Sequence, residues 1–168
     1  PVDDRFGRDA VRRTSWISVL AGASAGISYG AHGLWPWHRT GQAYGPMHYG
    51  LPLDWREALA LDSGEDLARL GRFISHLPWW DIAPAPGLAA DPPGAILATA
   101  TAGPGRILAY VQGNAQVTLP RLGPDARAEW HDPLPGATHA ATLAPGSQPP
   151  RVVAPFRAGD AVLVLHGV

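Results

Sequence analysis

Six of the seven tryptophans lie between Trp16 and Trp80, and a run reading A-P-A-P-G-L-A-A-D-P-P-G over 83–94 then separates them from a half that holds only Trp130. A run so rich in Pro and Gly opposes any continuous helix or central strand, since Pro lacks a backbone donor and Gly favours turns. It predicts an aromatic-rich first unit over 1–82, a linker over 83–94 and a second unit over 95–168. A chain of 168 residues can bury a real core and has room for one or two such units. No internal repeat is present.

The first unit alternates helix and strand signals. Asp9 is placed to cap a helix over Ala10–Ala21, because a carboxylate accepts from the free amides of a first turn. Arg12, Trp16, Leu20 and Ala23 recur at helical spacing, and Gly22 and Gly26 end the helix. A short strand is expected over Ile27–Gly30, followed by a loop. Residues 41–53 look irregular. Asp54 is expected to cap a short helix carrying Trp55, Ala58 and Leu59. Ser63 and Asp66 nearly form a capping box for a helix with Leu67, Leu70, Ile74 and Leu77 on one face, stopped by Pro78.

The second unit reads as short strands at Ala95–Thr101, Ile107–Gln112, Gln116–Leu119, Ala126–Trp130, Ala137–Leu143, Val152–Pro155 and Ala161–His166. Turn residues such as Gly103-Pro104-Gly105 and Gly159-Asp160 separate most of them. Spacing near ten residues with such turns predicts a β-sandwich, with Ala161–Leu165 as a buried last strand. This unit is expected to be stable on its own.

The candidate binding segment is Ile27–His38, I-S-Y-G-A-H-G-L-W-P-W-H. Gly and Pro do not suit a core strand, and so many rings do not suit a plain solvated loop. Loops at strand ends commonly carry function. Flat Trp faces beside imidazoles match the apolar and hydroxylated sides of a sugar ring, so Tyr29, His32, Trp35, Trp37 and His38 are candidate substrate contacts. Trp35 and Trp37 are two apart and would share one face of an extended stretch. The alternative is that these tryptophans close a core. Trp79 and Trp80, being adjacent, are expected to seal the junction between the units.

Other chemistry is sparse. The net charge of −1 offers no footprint for a nucleic acid or an anionic membrane surface, and no apolar run is long enough to span a bilayer. Without cysteine there is no disulfide, thiolate metal site or Cys nucleophile. His32, His38 and His48 are spaced like no helix-borne metal pair, so no metal and no cofactor are expected. No phosphate-binding glycine loop or serine nucleophile elbow is present. The opening P-V-D-D-R-F-G-R-D has neither Met nor an apolar segment, which suggests a fragment or processed product. Among carboxylates, Asp3 and Asp4 read as solvated loop residues, with a catalytic place at a barrel mouth as the alternative, Glu57 as a surface or Arg-paired group and Asp81 as a cap or junction pair. Arg12 reads as an exposed helix residue or a partner for a barrel carboxylate.

Several pieces resemble the apiosidase-like glycoside hydrolases: Arg12, Trp16, Leu20-Ala21-Gly22-Ala23, Tyr29-Gly30, Gly33-Leu34-Trp35, Trp55-Arg56-Glu57-Ala58-Leu59 and Pro78-Trp79-Trp80. Ala109-Tyr110-Val111, Trp130-His131-Asp132-Pro133 and Val162-Leu163-Val164-Leu165 resemble the β-sandwich, described as collagen-binding, that often follows the barrel in that family. The resemblance implies an α/β plus all-β chain, with the C-terminal elements of a TIM-type (β/α) barrel followed by a small antiparallel β-sandwich. It implies a glycoside hydrolase acting on side chains of plant or microbial polysaccharides, with carbohydrate as partner. The family's Glu-Pro-x-Tyr-Glu-like segment, which carries a catalytic carboxylate ahead of the matched helix, is absent from this sequence. No catalytic residue is therefore assigned, and the N-terminal part of the barrel is an implied partner. The rival reading is a carbohydrate- or matrix-binding module with Trp130 and His131 as contacts. A third is a structural sandwich buttressing a barrel.

Overall fold

The computed structural model describes residues 7–45, 50–88, 96–112, 116–119, 122–142, 150–155 and 159–168. Three helices come first: α1 (Arg8–Leu20), α2 (Trp55–Leu59) and α3 (Asp62–Ser75). A 3-10 turn over Trp79–Asp81 leads to β1 (Ile82–Pro84), β2 (Ile96–Ala102), β3 (Arg106–Gln112), β4 (Gln116–Thr118), β5 (Arg127–His131), β6 (Thr138–Ala140), β7 (Arg151–Val153) and β8 (Asp160–His166). All seven strands expected of the second half are present. The eighth, β1, uses Ala83 and Pro84 from the start of the expected linker, and residues 89–95 of that linker lie outside the described residues.

The strands form a six-stranded sheet in the order β1-β2-β3-β8-β5-β6 and a two-stranded sheet of β4 and β7. Every pairing is antiparallel. Strand β8 is central, with Leu163 opposite both Ala109 and Trp130. Successive side chains of a strand point to opposite faces, and here both faces are covered. Ala109, Val111, Leu163, Leu165 and Trp130 pack toward Val117 and Val152 of the small sheet. Leu108, Tyr110, Val162 and Val164 pack toward Trp16, Leu20 and Leu70 of α1 and α3. This double burial explains the unbroken apolar run Ala161–Leu165, since neither face of the strand meets water.

Helix α1 ends as its glycines require. The Ala23 amide bonds the Ser18 carbonyl at 3.0 Å, the Gly22 amide bonds Val19 at 3.0 Å, and Gly22 takes a φ of 95°. These bonds satisfy the carbonyls left over at a helix end, and Gly adopts that backbone without a Cβ clash. The start differs from expectation. The capping position is Gly7, and Asp9 lies inside the first turn with its carboxylate 3.0 Å from Arg12. Likewise α3 begins after Leu61, so Ser63 is buried within the first turn and caps nothing.

The expected strand over Ile27–Gly30 is absent: the segment forms no ladder, and no parallel barrel strand occurs among the described residues. Its backbone runs on into a tightly wound turn. What is observed is a mixed fold of helices packed on an antiparallel sheet.

Candidate substrate cleft

Two backbone bonds shape the aromatic loop. The Leu53 amide donates to the His32 carbonyl at 3.1 Å, and the Trp55 amide donates to the His38 carbonyl at 2.9 Å. The segment entering α2 is therefore stapled to both ends of the 32–38 turn. Asp54 strengthens the join, accepting from the Arg56 amide at 3.0 Å as the expected helix cap and from the Thr40 amide at 3.2 Å. Those two amides hold its carboxyl below the usual range. Gly33 is required here. Its φ is 134°, and a Cβ would stand 2.4 Å from the Leu53 carbonyl oxygen.

Between this loop and the amino ends of α1 and α3 lies a cleft of about 1010 Å³. Tyr29, His32 and Trp35 line it, together with Leu51, Leu53, Leu61, Arg8 and Asp62. The His32 and Trp35 rings are stacked, 5.6 Å apart and 11° from parallel. Tyr44 meets both edge-on, at 5.4 Å and 6.4 Å, and also reaches His38 at 5.9 Å. Trp35 remains 58% exposed, so it offers a supported but open ring. A flat ring beside polar groups in a concave site is suited to a ligand with one apolar face and a hydroxylated rim. Tyr44, Arg8 and Asp62 were not anticipated. Tyr44 sits in a segment without periodicity, and the other two come to the cleft through helix packing.

The remaining two expected contacts are elsewhere. His38 is buried behind the loop, under Tyr44. Trp37 lies outside the cleft because the chain turns between the two tryptophans: the Trp37 amide bonds the Leu34 carbonyl at 3.1 Å, and the His38 amide bonds Gly33 at 3.0 Å. The turn is not extended, so the two rings do not share a face. Trp37 instead meets Trp55 edge-on at 5.0 Å, while the Arg56 guanidinium covers Trp55 at 4.3 Å. Trp37 has a φ of 48°, the only non-glycine residue with a positive value among those described. For a bulky side chain this backbone costs on the order of 1 to 3 kcal/mol.

The carboxylates near the cleft do not form a pair. Asp62 is the one carboxylate among its described lining residues, and Arg8 holds it at 2.8 Å. Glu57 is exposed on α2, and Asp81 is exposed in the 3-10 turn. Asp3, Asp4 and His48 lie outside the described residues. Among those described, no group of three or more His, Cys, Asp or Glu could hold a metal.

Other expectations are revised by packing. Trp79 and Trp80 do not seal a junction: they are 48% and 67% exposed and touch each other edge-on at 5.7 Å. Trp130 and His131 do not present a binding face. Trp130 is fully buried between the sheets, and His131 packs against Phe73 at 4.4 Å under the helices. Arg12 is buried as well and pairs with Asp160 of β8.

Comparison with known proteins places this arrangement. Residues 2–81 match the family described as "Apiosidase-like, catalytic domain". No curated protein matches the chain. Two solved structures share its fold over 95% of its length: one described as a glycoside hydrolase, with a TM-score of 0.72 at 18% identity, and a glycoside hydrolase family 5 protein from Bacteroides vulgatus ATCC 8482, with a TM-score of 0.75 at 20% identity. The chain spans 36% of the length of each. Its residues 2–81, just under half of the chain, are thus similar to the apiosidase-like glycoside hydrolase family.

Proposed function

We propose that this chain is the carboxyl-terminal portion of a glycoside hydrolase acting on side chains of plant or microbial polysaccharides. It contributes helices α1 to α3 of the C-terminal part of a TIM-type barrel over 1–82 and a β-sandwich over 95–168, to whose main sheet β1 at Ile82–Pro84 adds an edge strand. The observation that carries the reading is the cleft, where the stacked His32–Trp35 pair and Tyr29 line a cavity large enough for a sugar. In this reading Trp35 stacks on the apolar side of a sugar ring, while Tyr29 and His32 bond its hydroxyls. His38 supports the loop from beneath.

The catalytic carboxylates come from outside this chain. Glycosidases place two carboxyl groups on either side of the scissile bond, one as acid and the other as nucleophile or base. The described cleft offers only Asp62, already neutralised by Arg8. The chain alone is therefore expected to bind sugar without cleaving it. A turnover assay with aryl glycosides on the purified chain should show no activity. Turnover abolished by Asp62→Asn, or by Asp3→Asn or Asp4→Asn, would overturn the assignment.

A further inference from the structure

We propose that Trp37 is a second sugar-stacking platform, outside the cleft, and that the ligand of this protein is an oligosaccharide chain rather than a single sugar. The proposal rests on the reading of the cleft as a sugar site and extends it. Its basis is an imbalance at Trp37. The residue holds a left-handed backbone at φ 48° that bulky side chains avoid, yet it is 63% exposed and so gains little from burial. A strained residue whose ring is not buried points to a role in contact with something else. The strain is imposed by well-made surroundings, since Pro36 precedes it and the amides of Trp37, His38 and Trp55 are all bonded.

The result of that backbone is a ring held out from the loop. Trp55 meets it edge-on at 5.0 Å, and Arg56 covers Trp55 rather than Trp37. Trp35, two residues away, lines the cleft, and Trp37 is not among the residues that line it. One sugar cannot occupy both, but consecutive units of a chain leaving the cleft can.

The test compares the parent chain with Trp35→Ala and Trp37→Gly. Glycine adopts φ 48° freely, so that substitution removes the ring and the strain together. Native affinity gels containing xylan, galactan or pectin identify a polysaccharide that retards the chain, and its hexasaccharide and monosaccharide are then titrated. Trp37→Gly should weaken the hexasaccharide by about tenfold, equivalent to about 1.4 kcal/mol, and leave the monosaccharide within about twofold. Trp35→Ala should weaken both. The melting temperature of Trp37→Gly should equal or exceed that of the parent. Hexasaccharide binding lost with Trp35→Ala but unchanged in Trp37→Gly would overturn the platform and leave the cleft standing. A Trp37→Gly protein melting well below the parent would show that the ring serves the fold, which also overturns it. No retardation by any of the polysaccharides would overturn the sugar-site reading and the platform with it.

Discussion

Arg12 in the first helix and Asp160 in the last strand are 148 residues apart and meet in a buried two-pronged pair, Nη2 to Oδ1 at 2.8 Å and Nε to Oδ2 at 2.9 Å. Tyr110 donates its hydroxyl to the same carboxylate. Arg12 also reaches Asp66 of α3 at 3.3 Å, and Asp66 is held by Arg8 at 2.7 Å and Arg69 at 2.9 Å. One network thus runs from cleft-lining Arg8 to the centre of the sheet. A buried pair tolerates loss of one partner poorly, because the other charge remains in a dry site. Asp160→Ala is expected to cost about 3 to 5 kcal/mol by urea unfolding. Loss of under 1 kcal/mol, on the order of an exposed pair, would show that water reaches the site.

Helices and sheet also share an apolar core. Trp16 stacks on Tyr110 at 5.9 Å and 6° from parallel, over Leu108, Val162 and Val164. This packing argues against the expectation that the second unit is stable alone. Residues 95–168 without α1 and α3 would expose that face and leave Asp160 without Arg12. The excised piece should be loosely packed, with weak near-ultraviolet circular dichroism and dispersed only poorly by NMR. A sharp, well-dispersed spectrum would show that the sandwich is self-sufficient.

The tryptophans divide by burial. Trp16 is 1% exposed, so Trp16→Ala should cost about 3 to 5 kcal/mol, as for a core aromatic. Trp80, at 67% exposed, should cost under about 1 kcal/mol on the same change. Thermal melts on the two variants decide the order.

Local signals account for what was legible. Strands bounded by Gly and Pro turns were all readable, because turn chemistry and apolar runs are properties of neighbouring residues. So was the Asp54 cap. Strand β1 was hidden in a Pro-rich run, yet Pro84 is tolerated because β1 is at the sheet edge. Arg12 gave no local sign of burial, since its partner is supplied by the other end of the chain. The extended reading of Trp35 and Trp37 failed because Gly33 and Pro36 wind the backbone between His32 and His38. Of the five expected contacts, Tyr29, His32 and Trp35 line the cleft, and Trp37 and His38 do not.

Acid should act on Asp66 and on His131 at different pH. Burial would raise the Asp66 carboxyl, but bonds and charge from Arg8 and Arg12 outweigh it and hold the group below its ordinary value. A lowered carboxylate stabilises the fold above its unfolded value of about 3.9 and loses that contribution as pH falls through the folded one. Burial lowers His131 too, by disfavouring its charged form. The unfolded chain then takes up the proton first, so stability should begin to fall as pH drops below about 6.5. Urea midpoints from pH 8 to 3 should show both declines. His131→Phe should remove the one near neutrality, and Asp66→Asn should reduce the one in strong acid, to which the lowered Asp54 also contributes. An unchanged upper decline in His131→Phe would assign it to another histidine.

Gly33 gives the most local test of how the cleft is built. Its φ of 134° is forbidden to other residues, and an added Cβ would stand 2.4 Å from Leu53 oxygen and 3.1 Å from the Ala58 side chain. The obstacle at Leu53 is backbone, already committed to the bond between its amide and the His32 carbonyl. Gly33→Ala must therefore push the 32–38 turn away from α2 rather than rotate a side chain. The core under α1 does not touch this contact, so the chain should stay folded. The displaced turn should separate Trp35 from His32 and Trp37 from Trp55. Tryptophan fluorescence should change, and hydrogen exchange at the Leu53 and Trp55 amides should quicken by at least about tenfold, for about 1.4 kcal/mol of local loss. Unchanged exchange at both amides would mean that the turn is set by something other than this close approach.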